Sequence, residues 1–217
     1  MSEAGRHQRG GRGSNQYGRK GVSQQRDDDP SASRQARTQR RSLRAQAAEA
    51  PVAYESGSHE AFGGQLHVCG EARGAGSGDA AVVGWGRSRV FVSERATGTV
   101  TDAAVGSASG TSTLHVGGTA HGFAGDEATL TVADQATGTA HGRASVTATG
   151  QARVVLREQS TGVIADDVEA EIADDVELVA LGRSRVRAGG RSVVWAEPSV
   201  EVELTESARR ELLPVVA

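Results

Sequence analysis

Aromatic side chains are scarce in this sequence, and their scarcity limits how a core can be built. Of 217 residues, seven are aromatic (two Trp, two Tyr and three Phe), whereas 29 are Gly. Phe, Tyr and Trp supply much of the buried area of a conventional globular core. A core of that kind is therefore excluded, and any interior must be built from small and aliphatic residues.

The chain also lacks the marks of disulfide-bonded, exported or membrane-spanning proteins. Its single Cys cannot form an internal disulfide. No apolar run follows the charged start MSEAGRHQRGGRG, so no signal peptide of the usual kind is expected. No segment approaches the roughly 18 apolar residues of a transmembrane helix, so no membrane span is expected. The default expectation is a cytoplasmic protein.

Charge is divided unevenly along the chain. Residues 1–50 contain 11 Lys and Arg against 5 Asp and Glu, a net charge of +6. The remaining residues contain 13 basic and 22 acidic side chains, a net charge of −9. Such asymmetry indicates a basic interaction tail joined to an acidic body.

Segment 1–48 is predicted to be a disordered basic tail. It is rich in Gly, Ser, Gln and Arg and nearly free of aliphatic residues before Leu43, so it cannot bury enough apolar surface to offset its chain entropy. A flexible cationic segment favours binding to nucleic acid or another anionic surface. The candidate polyanion-binding residues are Arg6, Arg9, Arg12, Arg19, Lys20, Arg34, Arg37, Arg40, Arg41 and Arg44.

An eight-residue repeat runs through residues 65–208. Writing the chain in eights from Gln65 gives 18 units without insertion or deletion, for example TLTVADQA (129–136) and EAEIADDV (169–176). Positions 2, 4 and 8 hold only Val, Leu, Ile, Ala, Gly or Ser in every unit. Position 6 is Gly nine times, Asp five times, Glu three times and Pro once.

Each unit is predicted to form one short β-strand followed by a corner. Positions 8, 2 and 4 alternate with positions 1 and 3, which is the period-two pattern of a strand with one buried face. Gly or Asp at position 6 suits a turn with positive φ. Because all units are equivalent, the arrangement that satisfies all of them is an all-β parallel β-solenoid.

Two strands per coil explain the outward residues better than three. Segments 113–128 and 129–144 agree at 7 of 16 positions, at a separation of 16. Position 1 of the even units ends Arg153, Glu169, Arg185, Glu201, and coils of two units would stack these opposite charges on neighbouring strands. The sequence therefore predicts about nine coils of 16 residues, with a three-sided solenoid left open as the alternative.

Both ends of the solenoid are predicted to be capped. Residues 49–64 form the N-terminal cap, to which Tyr54 and Phe62 contribute aromatic side chains. Residues 209–217 form the C-terminal cap, and the stretch from Ser207 to Leu213 is expected to be a short amphipathic helix with Ser207 at its N-cap. Capped ends argue against head-to-tail filaments.

The repeat resembles the Ala/Val-rich octapeptide-repeat parallel β-solenoid proteins of bacteria and phages. The resemblance covers residues 65–208 and implies an architecture but no chemistry. A β-helical body with a disordered tail is also similar in layout to the bactofilin cytoskeletal proteins, and that likeness implies polymerisation.

The sequence predicts no catalytic, cofactor-binding or metal-ligating residues. In coils of two units, His67 and His115 lie three coils apart, too far to share a metal, and Cys69 lies at a corner without an adjacent base. The acid pairs 166–167 and 174–175 fall at opposite corners of one coil. They are interpreted as solvated turn residues, with a weak calcium site as the alternative.

The outward positions of the odd units carry the most regular pattern. In successive coils they present pairs of hydroxyl side chains, a flat array that resembles the ice-binding faces of some antifreeze proteins. Thr is also simply a good strand residue. The candidate recognition residues are Thr97, Thr99, Thr113, His115, Thr129, Thr131, Ser145 and Thr147.

The leading functional hypothesis is a non-enzymatic structural scaffold. Its basic tail would tether the solenoid to an anionic partner, which would be nucleic acid, an acidic protein or the acidic body of another copy. One alternative is a module that recognises ice, a glycan or another ordered surface through the Thr face. The other is an acidic mimic of DNA, suggested by the net charge of −9.

Overall fold

The structure is a computed structural model, and it describes residues 53–213. All regular structure in this range is β-strand, arranged as two parallel sheets. The predicted disordered tail 1–48, with its ten candidate cations, lies outside the described residues, as do residues 49–52 and 214–217 of the predicted caps.

The two sheets take alternate strands of the chain. Sheet A has eleven strands: β1 (Ala53–Tyr54), β3 (Gln65–Val68), β5 (Ala81–Gly84), β7 (Thr97–Val100), β9 (Thr113–Val116), β11 (Thr129–Val132), β13 (Ser145–Ala148), β15 (Thr161–Ile164), β17 (Glu177–Ala180), β19 (Val193–Ala196) and β21 (Arg209–Leu212). Sheet B has ten strands: β2 (Ser58–Ala61), β4 (Arg73–Gly76), β6 (Arg89–Val92), β8 (Val105–Ala108), β10 (His121–Ala124), β12 (Thr137–Ala140), β14 (Arg153–Leu156), β16 (Glu169–Ile172), β18 (Arg185–Ala188) and β20 (Glu201–Leu204).

The strand register confirms two strands per coil. Thr129 pairs with Thr113 on one side and with Ser145 on the other, so each strand contacts the equivalent strand two repeat units away. The same shift relates Thr137 to Arg153 in sheet B. The chain therefore forms a parallel β-solenoid of about ten turns, and the three-sided alternative is wrong.

The interior follows the predicted pattern of positions 2, 4 and 8. Side chains at these positions are buried from Leu66 to Val200, and this part of the interior contains no aromatic ring. The two sheets compensate for each other in size. A Cβ added at Gly138 of sheet B would lie 2.6 Å from Val132 Cγ2 and 3.1 Å from Leu130 Cδ2 of sheet A. Gly is thus required where large aliphatic side chains of the opposite sheet fill the space.

The corners are tight turns built on position 6. In most of them the amide of position 8 donates a hydrogen bond to the carbonyl of position 5, as in Ala136 to Ala133 at 3.1 Å. Except at Pro198, position 6 has positive φ and position 7 does not, the combination found in type II′ turns. Gly, the residue best suited to positive φ, occupies position 6 nine times. Eight acids occupy the same position with positive φ, among them Asp134 with φ 62°.

The C-terminal segment corrects the expectation of a helical cap. The residues from Ser207 to Leu213 do not form a helix, since Arg209–Leu212 forms strand β21 and pairs in parallel with β19. The preceding corner has the same geometry as the others, with Glu206 at φ 59° and the amide of Ala208 bonded to Thr205. A helix of two turns is marginal alone, whereas the edge of β19 offers a complete row of backbone partners.

The N-terminal segment also differs from the expected cap. Ala53–Tyr54 and Ser58–Ala61 are strands β1 and β2, and they continue sheets A and B in parallel register. Tyr54 stacks on His59 with ring centroids 3.8 Å apart, and Phe62 is 78% exposed, so Phe62 does not cover the end of the core. The solenoid therefore begins before Gln65 and extends beyond the nine coils of the repeat.

Candidate functional site: the outer faces of the two sheets

The eight candidate recognition residues come together on the outer face of sheet A. Thr97, Thr113, Thr129 and Ser145 are direct partners along one column. The second column contains the other four candidates, Thr99, His115, Thr131 and Thr147, in the same order. All eight side chains are at least partly exposed. The sequence therefore located this array correctly, while a recognition role for it stays a prediction.

The uncharged surface is larger than the Thr array. From β3 to β19, positions 1 and 3 of sheet A give 18 outward residues, and Glu177 is the one formal charge among them. Aliphatic and aromatic side chains extend the array at both ends. They are Ala81, Val83, Val163, Val179, Val193 and Trp195. The candidate residues from the sequence did not include these six, because the interpretation followed the hydroxyl groups and not the absence of charge.

The outer surface of sheet B carries more charge, on β4, β6 and β14 to β20, whereas β8, β10 and β12 present none. Over β4 to β20 its outward positions hold nine charged residues among 18. At the C-terminal end they form the predicted alternating column, in which Arg153 Nε lies 3.0 Å from Glu169 Oε2, and Arg185 contacts Glu169 and then Glu201 at 3.7 and 3.4 Å. A surface depression of about 420 Å³ lies over these columns.

The neighbouring column of sheet B is paired in the same way. Arg187 Nε donates a hydrogen bond to Glu203 Oε2 at 3.0 Å. This bond and, to a smaller extent, the negative charge of the same carboxylate raise the pKa of Arg187 above its usual value. Arg157 reaches Glu171 Oε1 at 2.6 Å. The charged groups of this depression are therefore all in ion pairs, with one another or, for Glu171, with Arg157 beside it.

The corner acids accept hydrogen bonds from the coil before them. The amide of Gly118 donates to Asp134 Oδ2 at 2.9 Å, and the amide of Gly150 donates to Asp166 Oδ2 at 3.0 Å. The donor in these bonds is the backbone amide of position 6, which makes no hydrogen bond within the sheet. The neighbouring amide of position 7 instead donates to the position 6 carbonyl of the preceding coil. Along each corner Gly and an acid therefore alternate at position 6 with few exceptions, a pattern visible in the sequence only at a separation of 16.

The paired acids are exposed turn residues, as interpreted from the sequence, and they also hold neighbouring coils together. Asp166 and Asp174 accept backbone amides of the preceding coil, while Asp167 and Asp175 bind Arg183 and Arg191 of the next coil at 2.9 and 2.6 Å. The hydrogen bond with Asp175, aided by its charge, raises the pKa of Arg191. The four carboxylates are thus structural acceptors between coils.

Residues 53–213 contain no cluster of three or more His, Cys, Asp or Glu side chains able to hold a metal ion. His115 lies in the second column of the Thr array, three strands of sheet A away from His67. Cys69 is a partly exposed free thiol at a corner. Over the same range, no helix is long and apolar enough to cross a membrane.

Comparisons of the chain with protein-family models, with curated proteins and with solved structures give no match. The repeat architecture therefore stands on the register of the strands themselves.

Proposed function

We propose that this protein is a non-enzymatic interaction scaffold, in which the basic segment 1–48 binds a polyanion and the solenoid provides a long, regular surface. The observation that carries the proposal is the division of charge between +6 in residues 1–50 and −9 in the rest of the chain. The solenoid supports it by repeating the same outward positions at the cross-strand spacing of ~4.8 Å. About ten turns give a surface roughly 48 Å long on which equivalent groups recur.

Nucleic acid is the polyanion that this proposal names. Cationic side chains that neutralise phosphates release counterions, so affinity falls with salt at a log–log slope of about −0.9 per phosphate neutralised. The acidic solenoid opposes the same contact, because it repels phosphates and competes for the tail. The isolated segment 1–50 should therefore bind duplex nucleic acid more tightly than the full chain does.

The test is a salt titration of duplex binding by segment 1–50, by the full chain and by residues 51–217. For about six contacts, affinity should fall roughly a thousandfold between 50 and 200 mM salt. Residues 51–217 should stay folded and should not bind. A matched control is the full chain with the ten candidate polyanion-binding residues replaced by Gln. Absence of binding by segment 1–50 at low salt would remove nucleic acid as the partner.

A second candidate function is supported by the Thr columns of sheet A. Their hydroxyl groups repeat at about 4.8 Å along a column and about 6.6 Å between positions 1 and 3 of a strand, which is a flat lattice suited to an ordered surface such as ice or a glycan. Replacing Thr131 by Leu should leave the fold intact. If the native protein inhibits ice recrystallisation and this variant does not, ice binding by the Thr columns is supported. If the native protein shows no such inhibition, ice binding is excluded.

A further inference from the structure

Two properties of the outer face of sheet A bear on its use as a contact surface. It is nearly free of charge across nine strands, and 13 of its 18 outward side chains are Ala, Val, Thr or Ser. Charged residues are depleted in the cores of protein interfaces. Thr and Val also have restricted χ1 rotamers, so ordering them in a contact costs little conformational entropy.

We propose that this face is the contact surface between two copies of the chain, packed sheet against sheet. Parallel sheets are normally covered on both faces. In the solenoid the inner face of sheet A is covered by sheet B, and its outer face is open within residues 53–213. A second sheet A would cover it at a sheet-to-sheet distance of ~10 Å.

The area of the face meets the requirement of a specific dimer. Nine strands at ~4.8 Å and four residues of ~3.3 Å each give a surface of about 43 by 13 Å, or roughly 560 Å². Two copies would bury about 1,100 Å², which exceeds the ~1,000 Å² expected of a biological interface. This buried area lies just above that threshold and below the roughly 1,200–2,000 Å² of stable complexes, so a dimer of modest affinity is expected.

The charge pattern selects a second copy as the occupant. If the two copies run with opposite coil order about a two-fold axis at β11, β5 faces β17 and β7 faces β15. Val83 then meets Val179, and Thr99 meets Val163. Glu177 faces Ala81 of the other copy, so no like charges meet. The same operation about β12 on sheet B would bring Arg73 opposite Glu201 but Arg89 opposite Arg185. It would also press Glu169 and Glu171 against uncharged side chains, which costs desolvation.

The first test is the oligomeric state of the full chain by analytical ultracentrifugation over a hundredfold range of concentration. The native protein should form a dimer. Thr131→Lys, at the centre of the face, should raise the dimer dissociation constant at least tenfold, because it places two cations against each other on the two-fold axis. Thr147→Lys, in the same column, should weaken the dimer as well, and it replaces Thr131→Lys in the test if that variant does not fold.

The matched control is Thr139→Lys, at the same repeat position on the next strand, β12 of sheet B. This side chain is also partly exposed, and the variant should dimerise like the native protein. Circular dichroism must show that all variants remain folded. A native protein that is monomeric throughout would overturn the proposal, as would equal loss of dimer in Thr139→Lys or an unchanged dimer in both sheet A variants.

Cross-linking tests which face is covered. In a Cys69→Ser background, Thr131→Cys should give covalent dimers with a short bismaleimide, because facing thiols of sheets packed ~10 Å apart lie closer together than the two backbones, whereas Thr139→Cys should not. A direct disulfide is not expected, since it needs Cα atoms within about 7 Å. Cross-linking at Thr139→Cys alone would overturn the assignment to sheet A. Both tests are independent of nucleic-acid binding by the tail, so either proposal can fail while the other stands.

Discussion

Sheets A and B are built on the same inward pattern but differ in the charge of their outward surfaces. In both, positions 2, 4 and 8 are buried small or aliphatic residues from Leu66 to Val200. Outward, sheet A carries one formal charge and sheet B nine over nine strands each. The comparison shows that the repeat constrains only the interior and the corners. The outward columns are free to differ, so a surface that differs this strongly is where function should be sought.

The largest effect is expected from moving a charge from the outside to the inside of the solenoid. Ala136 is fully buried, whereas its neighbour Thr137 lies on the outer face of β12. Ala136→Glu should unfold or split the solenoid, because a buried unpaired carboxylate costs several kcal/mol. Thr137→Glu should change stability by no more than about 0.5 kcal/mol. Thermal melts of both variants, followed by circular dichroism, provide the measurement, and similar melting temperatures would contradict the inward register.

A smaller effect is expected from exchanging the two sheets beyond one point in the chain. Deleting the single unit 137–144 transfers every later strand to the opposite sheet and puts Val146 where Gly138 was. A Cβ at that position would lie 2.6 Å from Val132 Cγ2. The deletion therefore overpacks the core, at a cost of about 1–3 kcal/mol.

Deleting the whole coil 129–144 is the matched control. Each later strand then stays in its own sheet, and the solenoid should remain folded with one coil fewer. Urea unfolding of both deletions should show the single-unit deletion as the less stable protein. Equal stability would mean that the two sheets do not compensate for each other in size.

The sequence predicted the body of the solenoid well because its repeat is enforced by packing. A charge or a ring at position 2, 4 or 8 would meet the opposite sheet, so the period of eight is visible in every unit. The coil length was visible in a different signal, the alternation of Arg153, Glu169, Arg185 and Glu201, which are direct neighbours in sheet B.

The ends could not be predicted in this way. Strands β1, β2 and β21 lack buried side chains, and their burial patterns show exposed or partly exposed residues only. Backbone pairing with the adjacent coil makes them strands, and this leaves no pattern in their own residues. The corner acids were interpreted one unit at a time, whereas their partners lie one full coil away along the chain.

The smallest effect is expected where two like charges are neighbours in a column of sheet B. Arg73 and Arg89 are direct neighbours on β4 and β6, and the described residues give neither an ion-pair partner. The C-terminal column alternates in sign, so this like-charge pair is an exception to the rule of that sheet. Arg73→Glu should create a cross-strand pair and stabilise the protein by roughly 0.2–1 kcal/mol.

Arg73→Gln removes only the repulsion and should give part of that gain. Arg153→Glu is the reverse control, because it opposes a carboxylate to Glu169 and should destabilise by a similar amount. Each difference should shrink at high salt, since exposed charges are screened. If urea unfolding shows no gain for Arg73→Glu at low salt, the charge columns of sheet B contribute to its surface and not to its stability.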